Sequence, residues 1–366
     1  MFEYQAEKDY GEYDSADRTL DLTLKRIKDH CQQEALYFTL YGRLEVQEWL
    51  LKDSVRNKAY REAIICNESF KNKTVLEVGC GMGLFSMFAA KADAERVLAV
   101  DAASITDFAE RIVQDNGYAD VVTVMRGKVE DIELPADIHK VDIIICDWMG
   151  PFCHSYCLFS ENMLDSLVFA RDKWMVAGGH IFPDSAQLYL AAIKGRDQDL
   201  GFWNDLHGFD LSAIRRRCES KAVVEHVTGD QVMSKVCLIK SLDLYSVPRN
   251  AANFQSFYEL KVTRNGWVHA LVAYFDVGFS WSPQGISFST SPCAPWTHWN
   301  QTVFYLETPL FVKAGESIKG MFSMKPSEES IFDLTFDIFV DFEGRENAVT
   351  SQQSFVLSNP LTLGEI

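Results

Sequence analysis

Four short apolar runs, at 73–78, 96–101, 121–126 and 141–146, are separated by helical periodicity at 83–92, 105–116 and 160–174. Runs of that length without polar alternation predict strands buried on both faces, and their alternation with helices predicts a doubly wound parallel sheet. Ahead of them, residues 1–36 are polar, with no sustained apolar stripe before Leu20. This predicts a frayed start, a helix over about 17–35, and helical spacing of Tyr41, Leu44, Leu51, Val55 and Ala59 onward to about 65. After Pro183 the period changes to strand alternation. The runs 256–263 and 267–275, joined through Arg264-Asn265-Gly266, read as a hairpin, and Leu334, Phe336, Ile338, Val340 and Phe342 share one strand face. The expected organisation is therefore an extension over 1–36, an α/β domain over 37–183 and an antiparallel β domain over 184–366. A less regular excursion at about 195–225 carries Phe202, Trp203, Phe209 and Leu211 beside Arg215-Arg216-Arg217. Aromatics there fit an association arm or packing against the parent domain.

At 366 residues, with 47% hydrophobic residues, the chain has length and apolar content for two folded domains. Its nine cysteines are an odd number without the paired spacings of a zinc site; Cys153 and Cys157 form the closest pair. We expect reduced thiols, no bound metal, and a cytoplasmic protein with access to the nucleus. No signal peptide or apolar run of membrane-spanning length is present in the sequence. A net charge of −17 disfavours phosphate backbones and favours cationic tails, although acidity also serves solubility.

The most informative stretch is Val75-Leu-Glu-Val-Gly-Cys-Gly-Met-Gly83, a strand feeding alternating glycines at Gly79, Gly81 and Gly83, with Asp101 18 residues further on. Such a turn lets a ligand approach bare backbone, while the later carboxylate accepts from ribose hydroxyls. The Gly-x-Gly-x-Gly spacing differs from that of dinucleotide sites and favours S-adenosylmethionine, which needs no pyrophosphate cradle.

Six motifs in order then carry a resemblance: Tyr37-Phe38-x-x-Tyr41, the glycine-rich turn, Val100-Asp101, Gly127-Lys-Val-Glu130, Asp147-Trp-Met-Gly150 and Thr297-His298-Trp299. Over roughly residues 30–366 the chain resembles the protein arginine methyltransferases of the asymmetric-dimethylating type. The resemblance implies a Rossmann-like methyltransferase domain, then a β-barrel with an inserted helical arm that grips a second subunit. It implies a cofactor site for S-adenosylmethionine or S-adenosylhomocysteine. There Arg56 takes the methionine carboxylate, Asp101 the ribose and Glu130 the adenine amino group, with Tyr41, Gln47 and the three glycines beside them. Tyr37 and Trp299 are expected at the substrate pocket, and Asp53 with His298 beside the reaction, the carboxylate orienting and charging the imidazole.

The chain departs from the family where two glutamates clamp the substrate guanidinium. The first position is Asp147, and the second, Glu161, follows about five extra residues that include Pro151. Asp is shorter than Glu by roughly 1.5 Å, and a misplacement of about 1 Å can lower a rate on the order of a hundredfold. Gln47 stands where a histidine is usual, and Leu50 where many members have methionine. The expectation is a weakly catalytic or non-catalytic subunit that pairs with an active paralogue and helps bind Arg/Gly-rich RNA-binding proteins, with no direct contact to nucleic acid or membrane. The alternatives are a self-sufficient type I enzyme with Asp147 and Glu161 as its clamp, and an adaptor that binds no cofactor.

Overall fold

The computed structural model describes residues 28–150, 159, 163–195, 205–211, 221–328, 330 and 332–358. Helix α1 (28–41) crosses the expected boundary at position 36, and α2 (Leu44–Lys52) and α3 (Ser54–Ile64) follow. The side chain of Asp53 caps α3 by accepting from the Arg56 amide.

Strands β1 (Thr74–Val78), β2 (Arg96–Asp101), β3 (Val122–Arg126), β4 (Val141–Cys146) and β5 (Met175–Phe182) form a parallel sheet in the order β3-β2-β1-β4-β5. Helices α4 (Leu84–Lys91), α5 (Thr106–Asp115) and α6 (Met163–Trp174) connect them. The predicted strands and helices are found within a few residues; β5 went unpredicted because Gly178-Gly179 interrupt its apolar run. Chain order reverses between β1 and β4, which opens a crevice beyond their carboxyl ends, where open α/β sheets bind ligands.

The later chain is antiparallel. β6 (Ser185–Ile193), β7 (Val223–Glu225), β8 (Cys237–Asp243), β10 (Gly266–Phe279), β11 (Ile286–Ser289) and β12 (Gln301–Val312) form one sheet. β9 (Phe254–Lys261), β13 (Ser317–Pro326), β14 (Leu334–Glu343) and β15 (Ala348–Leu357) form the other, in the order β15-β14-β13-β9. The sheets share an aromatic interior in which Phe304 of β12 meets Phe336 at 5.0 Å and Phe355 at 5.3 Å. All five apolar positions expected on one face of β14 are buried there.

The expected hairpin at 264–266 does not form. β9 pairs with β13, whereas β10 pairs with β6 and β12 in the other sheet. Asn265 Oδ1 instead accepts from the Ala314 amide at 2.8 Å, tying the crossing to a neighbouring turn. The 14-residue β10 is buried along most of its length and requires a partner on each edge, which one hairpin cannot supply. Of the expected arm, 196–204 and 212–220, including Phe202 and Trp203, lie outside the described residues. Val223–Glu225 belongs to the sheet as β7, so the excursion ends earlier than 225. Phe209 lies in the described part and is 71% exposed.

Candidate active site

The turn after β1 takes left-handed backbone at Gly79, Gly81 and Gly83. Gly81 has a second constraint: a Cβ there would lie 2.7 Å from Oε1 of Gln47, whose Nε2 donates to the Tyr41 carbonyl at 2.8 Å. The left-handed φ and the close approach together favour glycine at this position. The Gly81 amide donates to Asp101 Oδ2 at 2.9 Å and the Ala103 amide to Oδ1 at 2.8 Å. Burial pushes the Asp101 carboxyl up, against these backbone donors.

Beyond the turn lies a cavity of about 300 Å³. It brings together Tyr37, Tyr41, Gln47, Arg56, Gly79, Gly81, Asp101, Glu130 and Asp147, residues from five separate stretches of chain. Gly83 is not on the wall but caps α4. Glu130 accepts from Ser166 Oγ at 2.6 Å. Acceptors at Asp101 and Glu130, a guanidinium at Arg56 and open backbone at Gly81 suit a nucleoside bearing a carboxylate.

Sequence reasoning missed three members of this wall. Glu77, buried in β1, accepts from Ser86 Oγ, and burial raises its carboxyl to about 8. Phe332, from the connection between β13 and β14, stacks on Tyr37 with centroids 4.9 Å apart and closes the cavity against α1. Lys128 adds an ion pair to Glu34 of α1 at 2.7 Å. Nothing in the sequence links Phe332 to Tyr37, nearly 300 positions away. Glu77 was visible as an acid within an apolar strand.

Asp147 lines the cavity with both oxygens engaged from within the protein. Its Oδ2 meets Arg56 Nε at 2.5 Å, its Oδ1 accepts from Tyr60 at 3.0 Å, and both members of the ion pair are nearly buried. Tyr60 stacks on Phe85 at 4.1 Å, and the Arg56 guanidinium lies over the same Phe85 ring at 4.6 Å. Arg56 and Tyr60 lie one turn apart on α3, so their helical spacing was the available signal for this contact. Glu161 and the extra residues from Pro151 lie outside the described residues.

A second carboxylate is held from the other end of α3. Asp53 Oδ1 accepts from the Arg56 amide at 2.9 Å, and Oδ2 accepts from the His298 amide at 2.8 Å and sits 2.6 Å from His298 Nδ1. Burial opposes the charge on Asp53, but the His298 hydrogen bonds win and hold its carboxyl below the usual range. Burial likewise lowers the His298 pKa, against the pull of Asp53. The ring is therefore oriented by Asp53, and its complete burial works against the charge expected on it. Its Nε2 has no hydrogen-bond partner among the described residues. Trp299 is also fully buried, donating to the Met149 carbonyl at 2.9 Å and packing on His298 at 3.9 Å. It supports the site from behind and does not line the cavity, contrary to its expected place in the pocket wall.

The model of the arginine methyltransferase oligomerization subdomain matches residues 184–345, and that of FtsJ-like methyltransferases matches 57–174. Protein arginine N-methyltransferase 8-B of Danio rerio is 44% identical over 84% of this chain and 73% of its own length. Protein arginine N-methyltransferase 1 of Chlamydomonas reinhardtii is 43% identical over 87% and 92%. The chain belongs to the protein arginine N-methyltransferase family. Among solved structures of this family, the Trypanosoma brucei PRMT1 enzyme–prozyme heterotetrameric complex with AdoHcy is similar at 36% identity and a TM-score of 0.82, covering 87% of this chain and 99% of that one. Arabidopsis thaliana protein arginine methyltransferase 10 follows at 27% and 0.78, covering 88% and 100%. The methyltransferase relationship and the two-part fold agree with the cavity and with both sheets.

Proposed function

We propose that this chain is a regulatory arginine-methyltransferase subunit. It binds S-adenosylmethionine or S-adenosylhomocysteine, transfers methyl groups weakly or not at all by itself, and pairs with an active paralogue for Arg/Gly-rich protein substrates. The observation that carries this reading is the double engagement of Asp147 by Arg56 and Tyr60. A guanidinium clamp needs a carboxylate whose negative charge faces the substrate, and here that charge is already compensated by the interior Arg56 guanidinium. The heterotetrameric enzyme–prozyme relative is a precedent for such a division of labour.

The second reading, a self-sufficient type I enzyme, is favoured by the intact Asp53–His298 pair. In that enzyme a guanidinium nitrogen attacks the sulfonium methyl in line, the thioether leaves, and the Asp53–His298 pair helps carry away the released proton.

Radiolabelled methyl transfer to an Arg/Gly-rich peptide separates the two. The regulatory reading expects a folded chain with turnover far below about 1 per second, and activity restored when the paralogue is added. Turnover at or above that rate by the chain alone would overturn it.

A further inference from the structure

A second groove, of about 550 Å³, lies on the sheet that contains β6, β10 and β11. Its walls include Gln187 of β6, Asp276 of β10, Ser287 and Ser289 of β11, Val55 of α3 and Pro295. Val55 lies between Asp53 and Arg56 on the chain, and Pro295 is three residues before His298, so the groove adjoins the Asp53–His298 pair. Asp276 is registered with Gln187 on one side and Ser289 on the other. Three oxygen-bearing side chains therefore stand in a row across neighbouring strands, and the central one is a carboxylate.

That carboxylate lacks a counter-charge. Asp276 Oδ1 is shielded from solvent and has no hydrogen-bond partner among the described residues. Burial pushes the carboxyl up, with the Ser289 hydroxyl opposing. Among the described residues no lysine, arginine or histidine lines the groove. The neighbouring phenols of Tyr189 and Tyr274 are pushed up by burial and then by the Asp276 charge, and they bring no positive charge of their own. An uncompensated anion in a groove is stabilised by a cation arriving from outside.

We propose that this groove is a subsite for the side chain of a second arginine of an Arg/Gly-rich tail, held while a first arginine occupies the reaction site. Charge complementarity and continuity with the reaction site choose that occupant. The planar fork of a guanidinium presents N–H donors to acceptors on strands about 4.8 Å apart, whereas the ammonium of lysine acts as a point charge. Two weak contacts made by one tail then act together. The inference rests on the reading of Arg/Gly-rich proteins as substrates.

Fluorescence anisotropy of the full chain with S-adenosylhomocysteine, at about 0.15 M salt, tests it with two labelled Arg/Gly-rich peptides. One carries three arginines, and in the other the outer two are replaced by neutral citrulline. The native chain is expected to bind the three-arginine peptide at least about tenfold more tightly. Asp276→Asn removes one charge from a chain of net charge −17 and keeps the side chain's size, so general attraction persists while most of that advantage disappears. Ser287→Lys, at an exposed position of the groove wall, should do the same by placing a cation there. An undiminished advantage in both variants would overturn the subsite and leave the Arg/Gly reading intact. A native chain that binds neither peptide would overturn both. An Asp276-dependent advantage without methyl transfer, even with the paralogue present, would sink the subunit reading and leave the subsite standing.

Discussion

Asp101 ends β2 and Asp147 follows β4, one on each side of β1, and both face the same cavity. Asp101 is fixed by two backbone amides, Gly81 and Ala103. Asp147 is fixed by two side chains, Arg56 and Tyr60. Neutral backbone amides hold a carboxylate in place and leave its charge uncompensated, whereas a guanidinium on one oxygen neutralises it from within the protein. The difference is one of charge compensation, although the sequence offers aspartate at both places.

The largest effect is expected from Arg56→Ala, which strands Asp147 buried and unpaired. Urea denaturation should show a loss of about 3–5 kcal/mol, together with loss of cofactor binding. Unchanged stability would mean that the ion pair does not hold Asp147.

Next comes pH, measured as the melting temperature between about pH 4 and 9. Glu77 has a folded pKa raised to about 8, so its contribution is favourable below the unfolded carboxylate range and is lost as pH rises toward 8. His298 and Asp53 have depressed folded values. Their contribution is present above the unfolded values and is lost on acidification, from about pH 6.5 for the histidine and below about 4 for the aspartate. Glu77→Gln should remove the alkaline fall and leave the acidic one. An unaltered alkaline limb would show that Glu77 is not the group responsible.

The smallest stability effects sharpen the contrast directly. Tyr60→Phe removes one hydrogen bond to Asp147 and should lower stability by about 1 kcal/mol without weakening S-adenosylhomocysteine binding. Asp101→Asn sets an amide NH2 against one of the two backbone donors, so stability should fall by about 1 kcal/mol while affinity for S-adenosylhomocysteine falls at least about tenfold, read by calorimetry. Equal effects of the two variants on binding would erase the distinction between the carboxylates.

Much of the parallel half was legible because its signals are local. Buried strands are apolar runs, their helices have a 3.6-residue period, and three glycines mark a turn that other residues strain to adopt. The hairpin at 264–266 misled because Asn-Gly reports a tight turn but not which strands pair across it; only sheet assembly sends β9 and β10 to different sheets. The site divides in the same way. Gly81 and Asp101 could be read from strand-to-turn spacing, and Arg56 from the family resemblance.

What the sequence determined by itself is the chemistry available: a carboxylate of a given length, a guanidinium, an imidazole, and the order in which they occur. The tertiary structure alone decided their state. Burial lowered the His298 pKa, the closeness of α3 to the end of β4 turned Asp147 toward Arg56 and Tyr60, and the β13–β14 connection placed Phe332 over Tyr37. The physical reason is that desolvation and hydrogen-bond partnership depend on neighbours remote in sequence, and they set the charge and direction of a group whose identity the sequence has already fixed.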